Sequence, residues 1–265
     1  MLTVITLITD YGSKDSYVAE MKGAILKICP EVTIVDICHE VRSYDVEEGA
    51  YNLVRAVKYF PEGTIHIGVV DPGVGGPRKP LIFDVNKATL IGPDNGLLAP
   101  AAERLGVRLV YEITRMDLLP PRISDVFHGR DIFGPAGALL AKGLKPQDLG
   151  SEVSEYHRLP LFTSKIEKGH IDSKVIKVDA FGNLVTCISY EDLEAAGIEA
   201  GSLLRVQIQG ATYRIPLVRM FSSVPVGDLL LLVAGGGYLE ISVNQGNASE
   251  RISAGKGAEV SVSVY

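Results

Sequence analysis

Asp10, Asp71, Arg78, Asp94 and His128 carry side chains able to take a proton, hold a charge or fix a polar ligand; the three aspartates stand where an apolar run gives way to turn residues, Arg78 closes the loop that Asp71 opens, and His128 stands just before an apolar stretch. Asp10 lies in Thr9-Asp10-Tyr11-Gly12 and Asp94 in Gly92-Pro93-Asp94-Asn95-Gly96. A carboxylate so placed is either a turn residue bonding its own backbone or an acceptor for a ligand such as a ribose diol, and Asp94-Asn95-Gly96 reads more simply as a turn ahead of a helix. Asp71 and Arg78 bracket the loop Asp71-Pro72-Gly73-Val74-Gly75-Gly76-Pro77-Arg78. Its glycines allow close backbone approach to a ligand and its prolines limit relaxation, so it is either a rigid turn or a preset site. It is no phosphate cradle: G-x-G-x-x-G would need Gly where Arg78 stands, and no G-K-[ST] follows, which counts against nucleoside triphosphates and NAD.

His128, in Phe127-His128-Gly129-Arg130-Asp131, is the histidine with the most informative neighbours, and imidazole is the usual proton handler near neutral pH. Its competing role is structural, beside apolar residues. The carboxylates and His128 could together hold a metal, yet HExxH, HxH and EF-hand spacings are missing, so no metal is expected. In the second half, Asp179-Ala180-Phe181-Gly182-Asn183 and Gly235-Gly236-Gly237-Tyr238 are explained as hairpin turns. The same residues also offer weaker signals of binding: Asp179 for an ammonium, Asn183 for a base edge, and the glycine run for a carboxylate through its N–H groups, with Phe221 either stacking on a base or plugging the core.

The elements that must position these residues follow from hydrophobic patterning. Leu2 to Ile8, Val32 to Ile37, Thr64 to Val70, Leu81 to Val85 and Thr89 to Ile91 are short β-branched runs that read as buried strands. Ser16 to Ile28, Val46 to Phe60 and Leu97 to Leu105 show helical spacing, with Asp15 and Asp45 as N-caps. This alternation predicts an α/β domain over residues 1–160, a mainly parallel sheet with helices on both faces and ligand groups beyond the carboxyl ends of the strands. After the polar stretch Lys145 to Pro160, short runs at Lys174 to Val178, Leu203 to Ile208, Tyr213 to Pro216, Leu229 to Val233, Leu239 to Val243 and Glu259 to Val264 predict a small antiparallel β-barrel domain over residues 161–265.

Composition narrows the function. With 32 acidic against 26 basic residues and a net charge of −6, the chain lacks the cationic excess of a nucleic-acid binder. Cys29, Cys38 and Cys187 are odd in number and widely spaced, which predicts free thiols. The opening apolar run has no basic leader, and no run reaches the roughly 20 residues that span a bilayer, so a cytoplasmic protein with no membrane partner is expected.

These segments, in order, resemble the S-adenosyl-L-methionine hydroxide adenosyltransferases, relatives of the fluorinating and chlorinating enzymes. The resemblance rests on Thr9-Asp10-Tyr11-Gly12, Ile28-Cys29-Pro30, Tyr44-Asp45-Val46-Glu47-Glu48-Gly49-Ala50, Phe60-Pro61-Glu62-Gly63-Thr64, Val70-Asp71-Pro72-Gly73-Val74-Gly75, Pro93-Asp94-Asn95-Gly96-Leu97-Leu98, Phe127-His128-Gly129-Arg130-Asp131 and Phe181-Gly182-Asn183, and covers nearly the whole chain. It implies a homotrimer that cleaves S-adenosyl-L-methionine to adenosine and L-methionine by hydroxide attack on the ribose 5′ carbon, with no cofactor. It also implies Asp71, Arg78 and His128 at the nucleophile, Asp10 on the ribose, Tyr44 and Tyr238 lining the pocket, Asp179 on the methionine ammonium, Asn183 on adenine and Phe221 against the base. Halogenating relatives carry Tyr-type residues at the Asp71 and His128 positions, Thr at Val74, Ser at Gly129 and a long insertion near Asn86-Lys87, so this chain resembles the water-using branch. Its Gly235 to Gly237 run stands where related sequences carry a Ser, which leaves the methionine carboxylate to backbone N–H groups. The rival functions are a halide-using enzyme, a metal-dependent hydrolase and a non-catalytic sensor of the same ligand. An Arg78–Asp71 pair would weaken the carboxylate as a base and leave His128 the better proton acceptor.

Overall fold

The computed structural model describes residues 3–159 and 163–265, and the chain divides into two compact units, residues 1–159 and 160–265. Leu2 and the expected boundary at residue 160 lie outside the described residues.

In the first unit, strands β1 (Val4–Thr9), β2 (Thr33–Cys38) and β3 (Thr64–Val69) alternate with helices α1 (Tyr17–Ile28) and α2 (Val46–Val57). Then come β4 (Pro80–Val85), β5 (Ala88–Pro93), α3 (Ala99–Leu105), β6 (Val107–Ile113), α4 (Gly134–Ala141), α5 (Pro146–Leu149) and β7 (Gly150–Glu152). They form one seven-stranded sheet in the order β2-β1-β3-β5-β4-β6-β7. The pairs β1–β2, β1–β3 and β3–β5 are parallel, as expected of α/β alternation. The pairs β4–β5, β4–β6 and β6–β7 are antiparallel, so the parallel part is half of the sheet. The cause is the two-residue link Asn86-Lys87: Val85 pairs with Ala88, which closes a hairpin, whereas a parallel neighbour needs a crossover of a dozen residues or more.

The helices form the two expected layers. Helices α1 and α4 pack on one another, and Ile5, Leu7, Ile65 and Ile67 of the sheet share a core with Met21, Ile25, Phe133 and Ala136. Helices α2 and α3 also pack together, and Gly68, on the oppositely directed face, is surrounded by Ile8, Leu97 and Leu98. Asp45 caps α2, accepting from the Glu48 N–H at 2.9 Å. Asp15 does not cap α1: that helix starts at Tyr17 with Ser16 as its N-cap residue, and the Ser16 hydroxyl donates to Glu20 at 2.7 Å. The polar stretch after Lys145 is part of this unit up to β7, because β7 pairs with β6 and Leu149 is fully buried.

The second unit contains β8 (Lys165–Glu167), β9 (His170–Val178), β10 (Leu184–Ser189), α6 (Tyr190–Ala196), β11 (Leu203–Ile208), β12 (Ala211–Pro216), β13 (Leu229–Val233), β14 (Tyr238–Val243), α7 (Ala248–Ile252) and β15 (Glu259–Val264). The sheet is antiparallel in the order β12-β11-β15-β9-β10-β14-β13, with β8 on β9. A bridge from Leu217 to Leu231 nearly closes it into a barrel, filled by alternate residues such as Leu204, Val206 and Ile208 of β11. Among the described residues no helix is long and apolar enough to cross a membrane.

Candidate active site

Strand β3 delivers the chain into the Asp71–Arg78 loop, which is tightly turned. The Val74 N–H reaches the Asp71 carbonyl at 3.2 Å, and Asn95 ties the loop down by donating to the Val70 carbonyl at 2.8 Å. Gly75 has φ of +77°, and a Cβ there would stand 3.1 Å from the Asp125 carbonyl oxygen, so this position needs glycine on two counts. Asp94 turns elsewhere, accepting from the His157 N–H at 2.7 Å, which suits its reading as a turn residue.

Across this loop Arg78 closes back on Asp71. Its Nε donates to Oδ1 at 3.1 Å and Oδ2 at 3.0 Å, and its Nη2 donates to Oδ2. The side chains are 10% and 4% exposed, so this is a buried, charge-assisted pair. The Arg78 guanidinium also lies over the Phe133 ring, 5.3 Å from its centroid. Nη2 has a second partner, His128 Nδ1, at 2.6 Å.

That contact fixes the histidine's protonation. A guanidinium only donates, so Nδ1 accepts and the neutral ring carries its hydrogen on Nε2. Burial holds the His128 pKa below the ordinary histidine value, Arg78 and Arg122 act in the same direction, and Asp71 and the Asp125 backbone oppose them. Nε2 is buried and has no hydrogen bond of ordinary geometry among the described residues. The Arg78–Asp71 pair is present as expected, but its consequence for His128 differs from the sequence reading: the arginine occupies the lone pair with which the imidazole would act as a base.

The rest of Phe127-His128-Gly129-Arg130-Asp131 is a clamp. Residues Gly129–Phe133 form a single π-helical turn ahead of α4, a type of irregularity frequent at functional sites. Asp131 accepts from the Ile123 and Ser124 N–H groups at 3.1 and 2.9 Å. Arg130 grips Asp131 at 2.7 and 3.0 Å and reaches Glu20 at 2.9 Å. These bonds anchor the segment before His128 to α1.

Asp10 follows β1. Its Oδ2 accepts from the Tyr44 N–H at 2.9 Å, and Tyr44 adopts φ of +69° with its side chain exposed. Burial raises the Asp10 pKa, the Tyr44 and Asp10 backbone N–H groups oppose this, and the Asp71 charge adds to it, which places the two carboxylates in mutual electrostatic reach. The turn is braced by His39, whose Nδ1 meets Thr9 Oγ1 at 2.8 Å and whose carbonyl accepts from the Gly12 N–H at 2.7 Å. Asp10, Tyr44, Asp71, Arg78 and His128 therefore belong to one neighbourhood of the first unit. Among the described residues no set of three His, Cys, Asp or Glu is grouped to hold a metal ion.

In the second unit Asp179 and Asn183 come together. Asp179 Oδ1 accepts from the Phe181 and Asn183 N–H groups, each at 2.9 Å, and Oδ2 accepts from Asn183 Nδ2 at 2.9 Å. Phe221 sits half-exposed on a 3-10 turn, Phe221–Ser223, and Tyr238 is buried at the start of β14. Tyr11, passed over in the sequence except as part of its segment, has its ring against Phe127 and its hydroxyl at Gly129. Its signal in the sequence was adjacency to Asp10 alone.

An α/β unit with a buried Asp–Arg–His cluster at the ends of its parallel strands, and a second unit built as a small antiparallel barrel, define a two-part chain of enzyme class. The SAM hydroxide adenosyltransferase N-terminal domain profile matches residues 5–150 and the C-terminal domain profile residues 173–261. The chain belongs to the SAM hydroxide adenosyltransferase family. It is 38% identical over 261 residues to the (R)-S-adenosyl-L-methionine hydrolase of Salinispora tropica, covering 97% of each chain. The hydrolase of that name from Thermus thermophilus is 34% identical, covering 97% of this chain and 98% of the other. A fluorinase from Actinoplanes is 30% identical over 91% of each. The crystal structure of an uncharacterized conserved protein from Thermotoga maritima superposes with a TM-score of 0.93 at 34% identity, covering 98% of this chain and 99% of that one.

Proposed function

We propose that the protein hydrolyses S-adenosyl-L-methionine, the (R) epimer at sulfur being the first to test, to adenosine and L-methionine. The observation that carries this reading is the buried Arg78, which donates at once to Asp71 and to His128 Nδ1. It leaves an N–H at His128 Nε2, with the Asp125 backbone as a competing acceptor, and an unused Asp71 lone pair, a donor and an acceptor suited to a hydroxide ion. The hydroxide's lone pair forms the O–C5′ bond, the C5′–S bond breaks and its electron pair goes to sulfur. Cation and anion become neutral products, so charge is lost on the way to the transition state and a buried centre favours the step. Alignment of the nucleophile behind C5′ is the task of the constrained Asp71 loop.

In this scheme the bound water loses its proton to solvent before attack, and His128 holds the resulting anion instead of removing the proton. Asp10 is assigned to the ribose hydroxyls, Tyr44 to the pocket wall, Asp179 to the methionine ammonium, Asn183 to adenine, and Phe221 and Tyr238 to contacts with the nucleoside. The reaction requires no cofactor, and we assign the protein to the cytoplasm as a homotrimer, which light scattering on the eluting protein tests.

The deciding experiment is incubation of the purified protein with each sulfonium epimer in ¹⁸O-water, followed by mass spectrometry. Adenosine carrying ¹⁸O with free methionine is the expected result. Intact substrate, or a 5′-halogenated nucleoside formed only with added halide, overturns the reading.

A further inference from the structure

Tyr11 has no part in the scheme above, yet it reaches into the same centre. Its ring is held edge-on by Phe127 at 5.6 Å between centroids and lies 6.0 Å from Tyr17, which itself contacts Phe127 at 5.5 Å. This aromatic cluster fixes where the hydroxyl goes, and it goes to Gly129, the residue after His128. A Cβ at Gly129 would collide with Oη and stand 3.3 Å from both Cε2 and Cζ, so the phenol fills the space of a side chain at that position. The Gly129 N–H donates to Oη, and Asp10, Asp71 and Arg78 all lie within electrostatic reach of it.

The hydrogen-bond account of this hydroxyl is then incomplete on one side. One lone pair is taken by the Gly129 N–H, and the single O–H hydrogen requires an acceptor. Burial first, then the Asp10 and Asp71 charges, push the phenol pKa well above its ordinary value, so the group remains a donor across the working pH range.

We propose that Tyr11 is a catalytic residue whose O–H donates to the attacking hydroxide, an inference that rests on the hydrolase reading above. Hydroxide has three lone pairs and one hydrogen. One lone pair attacks C5′, the second accepts from His128 Nε2–H, the third accepts from Tyr11 O–H, and the hydrogen is donated to Asp71. Tyr11 exchanges no proton in the step. A neutral water at the same point has one lone pair too few for these two donors and the carbon, so the pair selects the anion. Gly129 is the companion of this role, because any side chain there evicts the phenol.

The test uses the full chain with Tyr11→Phe, Gly129→Ala and both together, measuring kcat and KM for the sulfonium substrate from pH 6 to 10. Tyr11→Phe is expected to lower kcat roughly 10- to 100-fold at the acid end, the value of one hydrogen bond to a charged group, with KM changed by less than about threefold. The deficit should close as pH rises, because the variant needs a higher hydroxide activity to fill the same site; a merely structural defect would lower kcat equally at every pH. Gly129→Ala should cost about as much as Tyr11→Phe, and little more when added to it, since the main collision is with the missing oxygen. Should Gly129→Ala fail to fold, the pH profile of Tyr11→Phe decides alone. A Tyr11→Phe enzyme within threefold of wild type at all pH values overturns the inference and leaves hydrolysis standing. A wild-type protein that forms no ¹⁸O-adenosine removes both.

Discussion

Arg78→Met is the perturbation that best separates the stability of the cluster from its chemistry. Methionine keeps a long apolar stem against Phe133 but removes the three contacts to Asp71 and the one to His128. The Asp71 side chain, 4% exposed, is left as a buried carboxylate without its counter-ion. Removing one partner of a buried ion pair costs about 3–5 kcal/mol, most of it desolvation that is no longer offset. Against a typical total stability of roughly 5–15 kcal/mol this is a large share, and for a chain of this size it corresponds to a fall in Tm of about 10 °C. Urea unfolding followed by circular dichroism measures it, with turnover assayed on the same samples below the new transition. Adding Asp71→Asn to Arg78→Met should restore roughly half of the lost stability, because an amide is cheaper to bury than a carboxylate, and should restore none of the activity. A loss below about 1 kcal/mol for Arg78→Met, or a double variant no more stable than the single one, would refute the claim that a desolvated charge is what Arg78 compensates.

Two further outcomes follow from the histidines. His128→Gln keeps an N–H near the place of Nε2 and should retain at least about tenfold more turnover than His128→Ala, the worth of one hydrogen bond to an anion; equal loss in both would restore His128 as a base. His66 is buried with its Nδ1 2.7 Å from Thr6 Oγ1, and burial lowers its pKa to about 4 from 6.5. Because the folded state binds this proton less readily than the unfolded state, its contribution to stability is complete above pH 6.5 and is lost as pH falls toward 4, a loss of about 3 kcal/mol. Urea unfolding at pH 7 and pH 4.5 checks it: wild type should lose more between the two than His66→Asn does, and equal losses would contradict the assignment.

Much of the α/β unit was legible because its strands and helices obey distinct periods and because the loops after β1 and β3 hold the polar residues. Sheet direction was legible in principle too, since Asn86-Lys87 is too short for a crossover, but composition of the strands says nothing about their direction. At the start of α1 the sequence signal is ambiguous, because Asp15 and Ser16 stand side by side and both are good caps, and the helix takes Ser16. The tautomer of His128 was beyond the sequence: it depends on which of two neighbours Arg78 Nη2 reaches, and the answer is both. Tyr11 was hidden because a tyrosine beside an aspartate in a turn is ordinary, and only the fold shows that its hydroxyl takes the space left by Gly129.

The arrangement points to a division of labour that follows from the charges. Sulfonium cleavage needs no acid, since the leaving group departs as a neutral thioether, and a strong base beside the nucleophile would itself compete for the positive carbon. What the reaction lacks at neutral pH is a supply of hydroxide, so the useful device is a set of donors that lowers the cost of holding the anion. In the proposed scheme Arg78 supplies this at one remove. By occupying His128 Nδ1 it turns the imidazole's other nitrogen into a donor, and by pairing with Asp71 it holds the carboxylate in place beside that donor. In that scheme, exchange of Asp71 for a neutral aromatic would remove the acceptor for the nucleophile's own hydrogen, exchange of His128 would remove a donor to it, and an anion with no hydrogen, such as a halide, would have no use for that acceptor. On the proposed scheme the choice between water and halide rests on whether the centre offers a place for one hydrogen, which is a property of Asp71 more than of any donor around it.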